Sequence, residues 1–125
     1  MKYLCPICAD KMMEHFSPAD AEKHYQDYEK FLTEIQSSGH YIGCNRLMLP
    51  ETATTVRVRN GKVSTTDGPY AETKEQLGGY FVIEAKDMDE AVGIAARIPG
   101  CSHGCVEVRP IADDERTLRL LNVAA

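Results

Sequence analysis

Hydrophobic and polar positions alternate with two different periods along the chain, which predicts both strands and helices. Residues 2–9 (KYLCPICA) have strand character, and Pro6 is expected to confine that strand to an edge or a bulge because it lacks an N–H. A helix is predicted to follow, with Ser17 as its N-cap and Pro18 in its first turn. It ends near residues 38–39, and its apolar stripe consists of Ala21, Tyr25, Tyr28, Leu32 and Ile35.

Residues 54–66 carry the clearest hairpin signal in the sequence. The alternating runs TTVRVR and KVSTT are joined by Asn60-Gly61, and these two residue types tolerate the positive φ that a tight hairpin turn requires. The preceding segment, YIGCNRLML at 41–49, is predicted to be a strand that Pro50 ends.

The strand predicted at 78–85 (GGYFVIEA) is apolar on both faces, which indicates that both faces are covered. Asp87 and Glu90 then form a capping box that opens a second helix, which Pro99-Gly100 ends. Its predicted buried stripe consists of Ala91, Ala95 and Ile98, with Val92 beside it. A last strand is predicted at 104–111.

The predicted order is therefore β-α-β, a hairpin, and β-α-β. This order favours an α+β domain, most simply a ferredoxin-like sandwich with an added β-hairpin, over residues 1–112. One helix layer covers only one face of such a sheet, so the apolar second face predicts a homodimer that packs sheet on sheet. The tail at 113–125 is predicted to be a short helix or a dimer arm.

Composition narrows the function classes. A chain of 125 residues is the size of one domain, and its net charge of −5 argues against direct nucleic-acid binding and against an anionic membrane surface. No apolar run approaches the roughly 20 residues of a membrane span. Because Asp10 and Lys11 interrupt the apolar start, no signal peptide is predicted and a cytoplasmic location is expected. No cofactor is predicted.

The five cysteines do not indicate a disulfide framework, because their number is odd and no signal peptide is predicted. Cys5 and Cys8 form a C-P-I-C motif, but on a strand they would point to opposite faces. Cys101 and Cys105 flank His103 with imperfect zinc spacing. Buried structural cysteines are the simpler interpretation, and a metal or redox sensor is an alternative.

The segment after the hairpin, TTDGPYAETKEQLGGY, carries the candidate chemistry. Asp67 precedes a sharp Gly-Pro turn, and a carboxylate partly desolvated beside Tyr70 would have a raised pKa that suits a general base. His24, if it reached Asp67, would complete a proton-transfer pair. The alternative is an Asx-type turn followed by a solvated polar segment. Candidate anion-binding residues are Arg46, Arg57, Arg59 and Lys74.

The stretch DGPYAETKEQLGGYFVIEAKDMDEAVGIAARIP resembles the signature of the DGPF-domain branch of the YCII-related proteins, with Tyr70 in place of phenylalanine. The resemblance extends to MKYL, the ATTVRVRNGKV hairpin and the closing GCVEVRPI. It implies a ferredoxin-like fold that dimerises through its sheets into an α/β barrel. A YCII-type relative is a dehydrochlorinase with a proposed His–Asp pair, to which Asp67 and His24 would correspond.

Together these features predict a dimer that binds a small organic molecule at an Asp67-centred cleft, with acid/base chemistry of a lyase or dehydrochlorinase kind. The catalytic candidates are Asp67 and His24, and the ligand-binding candidates are Tyr70, Arg46, Lys74 and Tyr28. The alternative, also drawn from the family context, is a non-enzymatic interaction module that regulates transcription with an extracytoplasmic-function sigma factor. Whether the protein is an enzyme stays open at this point.

Overall fold

The computed structural model of the protein describes residues 1–10 and 16–112, together with Glu115 and Arg119. The helices are α1 (Pro18–Ser37) and α2 (Met88–Ala95). The strands are β1 (Lys2–Ala9), β2 (Tyr41–Arg46), β3 (Thr54–Arg59), β4 (Lys62–Asp67), β5 (Gln76–Glu84), β6 (Gly104–Val106) and β7 (Arg109–Pro110). Short 3-10 turns occupy Pro50–Thr52 and Pro99–Ser102.

The main sheet has the strand order β2-β5-β1-β6, and β7 also pairs with β1. Every pairing in it is antiparallel, and the hairpin β3–β4 forms a separate two-stranded sheet between β2 and β5 in the chain. This α+β arrangement is consistent with the predicted ferredoxin-like fold.

The core lies between the two helices and one face of the main sheet. Alternate residues of β1 and β5 enter it, whereas their neighbours Leu4, Pro6 and Val82 face the other side and are half-buried. The largest completely buried side chains are Cys5, Ile35, Ile83 and Ile98. Helices thus cover one face of the sheet, which we call the inner face; the opposite one is the outer face.

Both predicted helix caps are present. The Ser17 hydroxyl accepts a hydrogen bond from the Asp20 N–H at 3.1 Å, and the Asp87 carboxylate accepts one from the Glu90 N–H at 2.9 Å. These contacts satisfy N–H groups that have no partner within the helix.

The predicted apolar stripe of α1 is wrong at one position. Tyr25 is 47% exposed, and the buried positions of α1 are His24, Phe31 and Ile35. The residues one position before and three positions after Tyr25 make the contact instead, because α1 is turned so that His24 and Tyr28 face the sheet.

The expectation that Pro6 places β1 at an edge is corrected, since β1 pairs with β5 on one side and with β6 and β7 on the other. The Glu107 N–H donates a hydrogen bond to the Pro6 carbonyl at 3.0 Å, but Pro6 has no N–H and cannot donate one to Glu107. Residues 107–108 lie between β6 and β7 at this point, so the missing donor coincides with a break in the pairing. The register shift against β5 comes one residue later, between Ile7 and Cys8.

The hairpin turn has the predicted positive φ values, 53° at Asn60 and 75° at Gly61. At the other end of the hairpin, the Gly68 N–H donates to the Ala53 carbonyl at 2.7 Å, and the Thr55 hydroxyl donates to the Gly68 carbonyl at 2.8 Å. These bonds fix the turn that follows Asp67 to the base of the hairpin.

The predicted tail lies outside the described residues except for two positions. Glu115 and Arg119 have helical backbone, and their side chains form an ion pair of 3.3 Å. Within the described part of the chain, no helix combines the length and the apolar character needed to cross a bilayer.

Candidate ligand-binding pocket

A pocket of about 310 Å³ lies between the first half of α1 and the ends of β2 and β5. His24, Tyr25 and Tyr28 form its helix side, and residues 46–50 form a second wall. Ile7 and Phe81 contribute apolar surface from the sheet. The lining is therefore largely hydrophobic, with a few polar groups at defined places.

Gly79 determines how closely β2 and β5 approach at the pocket. A Cβ atom on this buried glycine would lie 2.8 Å from the Asn45 carbonyl oxygen, closer than real Cβ contacts allow. Gly79 is paired with Arg46, so its missing side chain lets the backbone that carries Arg46 lie against β5.

His24 is a buried ionisable group of the pocket, and its surroundings shift its pKa. It is only 9% exposed, and its ring meets those of Tyr28, Phe16 and His103 edge-to-face at centroid distances of 4.8, 5.2 and 5.8 Å. Burial lowers the pKa of His24, the nearby His103 and Arg46 lower it further, and Asp27 opposes them. At neutral pH His24 is therefore an uncharged imidazole with one nitrogen free to accept a proton.

Arg46 is the one residue with a full charge at neutral pH among the described residues that line the pocket. Its guanidinium lies 5.4 Å from the centroid of the Tyr25 ring and donates a hydrogen bond to the Tyr25 hydroxyl. A guanidinium has five N–H donors, so this contact orients Arg46 and leaves donors for a ligand.

Tyr28 lies on the helix side of the pocket and also contacts the hydrophobic core. Its ring stacks parallel to Phe81 at 6.3 Å, and its hydroxyl accepts a hydrogen bond from the Gly100 N–H at 3.1 Å. Burial is the main cause that raises the pKa of Tyr28, so the phenol stays protonated at neutral pH. Its position is set by packing on one side and a backbone donor on the other.

Three of the residues predicted from the sequence, His24, Tyr28 and Arg46, meet at this pocket. The other three do not line it: Asp67, Tyr70 and Lys74 are exposed, and Tyr70 is 84% exposed. Among the contacts of the described residues, none joins Asp67 to His24. The role of Asp67 as a base and its pairing with His24 therefore stay predictions.

The polar segment after Asp67 is organised by one side chain. The Gln76 amide donates to the Ala71 carbonyl at 3.0 Å, to the Thr73 carbonyl at 2.9 Å and to the Thr73 hydroxyl at 3.0 Å. Residues 72–75 are exposed, and residues 76–79 line the pocket. This pattern supports the simpler alternative of a local polar turn for residues 72–75.

The sequence reasoning missed the second wall and the surroundings of His24. Leu47, Met48 and Leu49 were assigned to the end of a strand, but β2 ends at Arg46 and these three apolar side chains border the pocket. The signal was an apolar run that continued past the alternating part of the strand up to Pro50. Nothing in the sequence indicated that His103 would lie beside His24.

Comparison of the sequence with known proteins assigns the chain to a family. The sequence profile of the YCII-related domain matches residues 1–114 of the chain. A protein of Rhizobium meliloti (strain 1021), described as uncharacterized, is 33% identical over 99 residues, which are 78% of this chain and 80% of that protein. The chain therefore belongs to the YCII-related domain family.

Proposed function

We propose that the protein binds a small organic molecule in the pocket between α1 and the sheet. The observation that carries this proposal is a hydrophobic pocket of about 310 Å³ whose described lining includes a cation, Arg46, and an uncharged imidazole, His24. Ligand pockets of proteins typically have volumes of about 300–1,000 Å³ and combine an apolar lining with a few placed polar groups. The ligand that fits has an apolar body and one anionic or hydrogen-bond-accepting group.

The two ionisable groups divide the chemistry between them. Arg46 binds the anionic group of the ligand through its free N–H donors, and the apolar wall at 47–49 covers the ligand body. His24, kept uncharged by burial, accepts a proton from the bound molecule. Acid/base chemistry of the lyase or dehydrochlorinase kind is the reaction class that this pair supports. In this proposal Asp67 belongs to the site by resemblance to the DGPF branch.

A thermal-shift series tests the binding proposal. Aromatic and carboxylated small molecules are screened against the wild type, Arg46→Gln and the matched control Arg57→Gln, whose arginine lies exposed on β3. A ligand of the wild type and of Arg57→Gln should bind Arg46→Gln about ten- to a hundredfold more weakly, because a charge-assisted hydrogen bond contributes about 1.5–3 kcal/mol. Equal stabilisation of all three proteins would contradict the role of Arg46.

The same screen on two further variants separates binding from chemistry. His24→Gln should keep a large part of the affinity, because Arg46 is intact, and should lose any proton transfer that the ligand undergoes. Asp67→Asn tests the DGPF-based assignment, which predicts loss of turnover with binding retained. Turnover that survives in Asp67→Asn would remove this carboxylate from the proposed mechanism.

We further propose that the outer face of the sheet packs against a second copy of the chain. Half-buried apolar side chains of β1 and β5, among them Leu4, Pro6 and Val82, face away from the helices. Sedimentation at micromolar concentration should give twice the 13.9 kDa of the chain, and replacing Val82 by lysine should give the monomer mass. A wild-type monomer mass at that concentration would contradict the dimer.

A protein partner is the second candidate function, and the hairpin β3–β4 is the observation that favours it. Val56, Val58 and Val63 are 60%, 57% and 70% exposed on it. Exposed apolar residues grouped on one element are typical of association surfaces. The family context proposes a sigma factor as that partner. Two results together would favour this alternative: no ligand is found in the screen, and a sigma factor binds the wild type but not the Val58→Lys variant.

A further inference from the structure

Two cysteines from opposite ends of the chain face each other across neighbouring strands. Cys8 of β1 and Cys105 of β6 are direct partners in the antiparallel register. Ile7, the neighbour of Cys8, points into the core, so Cys8 and its partner lie on the outer face. Cys5 of the C-P-I-C motif is completely buried on the inner face and is separated from Cys8 by the sheet. Both Cys8 and Cys105 are free thiols.

The backbone distance at this pair suits a covalent bridge. The bond from the Glu107 N–H to the Pro6 carbonyl marks positions 6 and 107 as a hydrogen-bonded pair, so the alternation of the ladder makes Cys8 and Cys105 one as well. Such pairs have Cα atoms about 5.5 Å apart, which lies within the range of about 4.4–6.8 Å found for disulfides. The Cβ atoms of such a pair lie about 5.5 Å apart and must approach by about 1–2 Å to reach the distance found in disulfides.

Gly104 brings the two strands especially close beside this pair. A Cβ atom at Gly104 would overlap the Cys8 carbonyl oxygen and would lie 2.9 Å from the Ala9 Cα. The backbone of β6 therefore lies close against β1 one residue before Cys105. This close approach of the two strands favours a bridge between Cys105 and Cys8.

We propose that Cys8 and Cys105 are an oxidation site that forms an intramolecular disulfide when the protein meets a hydroperoxide. The Cys105 thiol gives up its proton and its sulfur attacks the terminal peroxide oxygen. The O–O bond breaks, Cys105 becomes a sulfenic acid, and the other oxygen takes the proton and leaves as water or an alcohol. The Cys8 sulfur then attacks the Cys105 sulfur, the S–O bond breaks, and the hydroxide leaves as water with the Cys8 proton. Two thiols are oxidised and one peroxide is reduced.

Exposure and charge assign the order of these steps. Cys105 is exposed, whereas Cys8 is half-buried. Burial first, and then the nearby Cys105, Glu75 and Glu107, raise the pKa of the Cys8 thiol. Cys8 is therefore poorly suited to attack first and serves as the resolving thiol. Cys105 lies on the edge strand β6, so it stays at the rim of the sheet when a second copy covers the centre.

The bridge would act next to the pocket. The neighbours of Cys8 in β1, Ile7 and Ala9, both line the pocket. Leu77, the register partner of Cys8 in β5, lines it too. A disulfide would fix this end of β1 to β6 and would reduce the freedom of that wall. The inference does not rest on the proposed function, since the bridge forms whether or not the pocket binds a ligand.

Hydrogen peroxide on the reduced full-length chain tests the proposal. Alkylation, peptide mapping and non-reducing electrophoresis should show a monomer chain lighter by two hydrogen atoms, with Cys8 joined to Cys105. Neither Cys8→Ser nor Cys105→Ser should form the bridge. The loss of free thiols should slow by about tenfold or more in Cys105→Ser, which lacks the attacking thiol, whereas Cys8→Ser should stop at the sulfenic acid of Cys105, and the control Cys101→Ser should form the bridge as the wild type does. The oxidised wild type should melt about 5 °C or more above the reduced form, because the bridge closes a long loop.

Three results would overturn it. A bridge that joins any other two cysteines would exclude the pairing, as would disulfide-linked dimers as the main product. Oxidation of Cys105 to sulfinic acid without a bridge, in a chain that is still folded by circular dichroism, would show that Cys8 does not resolve the sulfenic acid.

Discussion

Replacing Gly104 by alanine is expected to lower the free energy of unfolding by about 3 kcal/mol or more, at the upper end of the range for overpacking. The added Cβ would overlap the Cys8 carbonyl oxygen and would stand 3.0 Å from the Ala9 Cβ. The obstacles are backbone and Cβ atoms, which no rotamer change can move away. β6 must therefore shift from β1, and the hydrogen bonds between them must lengthen.

Gly78→Ala is the matched control, because it places the same methyl group on another strand that pairs with β1. The nearest atom to its Cβ would be the Ile7 carbonyl oxygen at 3.9 Å, an ordinary contact. Its expected effect is between neutral and a stabilisation of about 1 kcal/mol, since alanine loses less backbone entropy than glycine on folding. Urea denaturation of the two variants and the wild type measures the difference. Equal midpoints for the two variants would show that β6 does not lie this close to β1.

Those parts of the fold that depend on neighbouring residues could be predicted from the sequence. The caps at Ser17 and Asp87 and the Asn60-Gly61 turn follow from side-chain chemistry within four residues, and the structure confirms all three. The position of β1 could not be predicted in the same way. Pro6 indicated an edge or a bulge, but β1 is not at an edge. The missing donor of Pro6 falls where β6 ends, and the end of β6 is set by residues a hundred positions later.

The site was predictable only in part, for a similar reason. Arg46, Tyr28 and His24 were chosen for their chemistry, and they meet because α1 packs over β2 and β5. Asp67 was chosen for the sharp Gly-Pro turn that follows it and for the DGPF resemblance, and the structure leaves that carboxylate exposed. His103 reaches His24 only through the placement of the 3-10 turn at Pro99–Ser102, a long-range contact that no local pattern encodes.

The sequence pattern of β5 did predict the most consequential feature of the sheet, its two apolar faces. Ile83 is completely buried on the inner face, and it is the register partner of Tyr3 and Tyr41. Its neighbour Val82 is half-buried on the outer face, opposite Leu4. Substitutions at these two adjacent residues therefore test the two faces of the sheet separately. Each side chain can be shortened to alanine.

Ile83→Ala is expected to lower the free energy of unfolding by about 3–4 kcal/mol, because a completely buried side chain in the central part of a sheet leaves a cavity that its neighbours cannot fill. Val82→Ala should lower it by about 1 kcal/mol in dilute protein, where its outer face meets water. If the outer faces of two chains pack together, the cost of Val82→Ala should rise with protein concentration, whereas that of Ile83→Ala should not. Urea denaturation at submicromolar and at high micromolar concentration measures both effects. A small loss at Ile83 would place the core elsewhere, and a Val82 effect independent of concentration would argue against the sheet-to-sheet dimer.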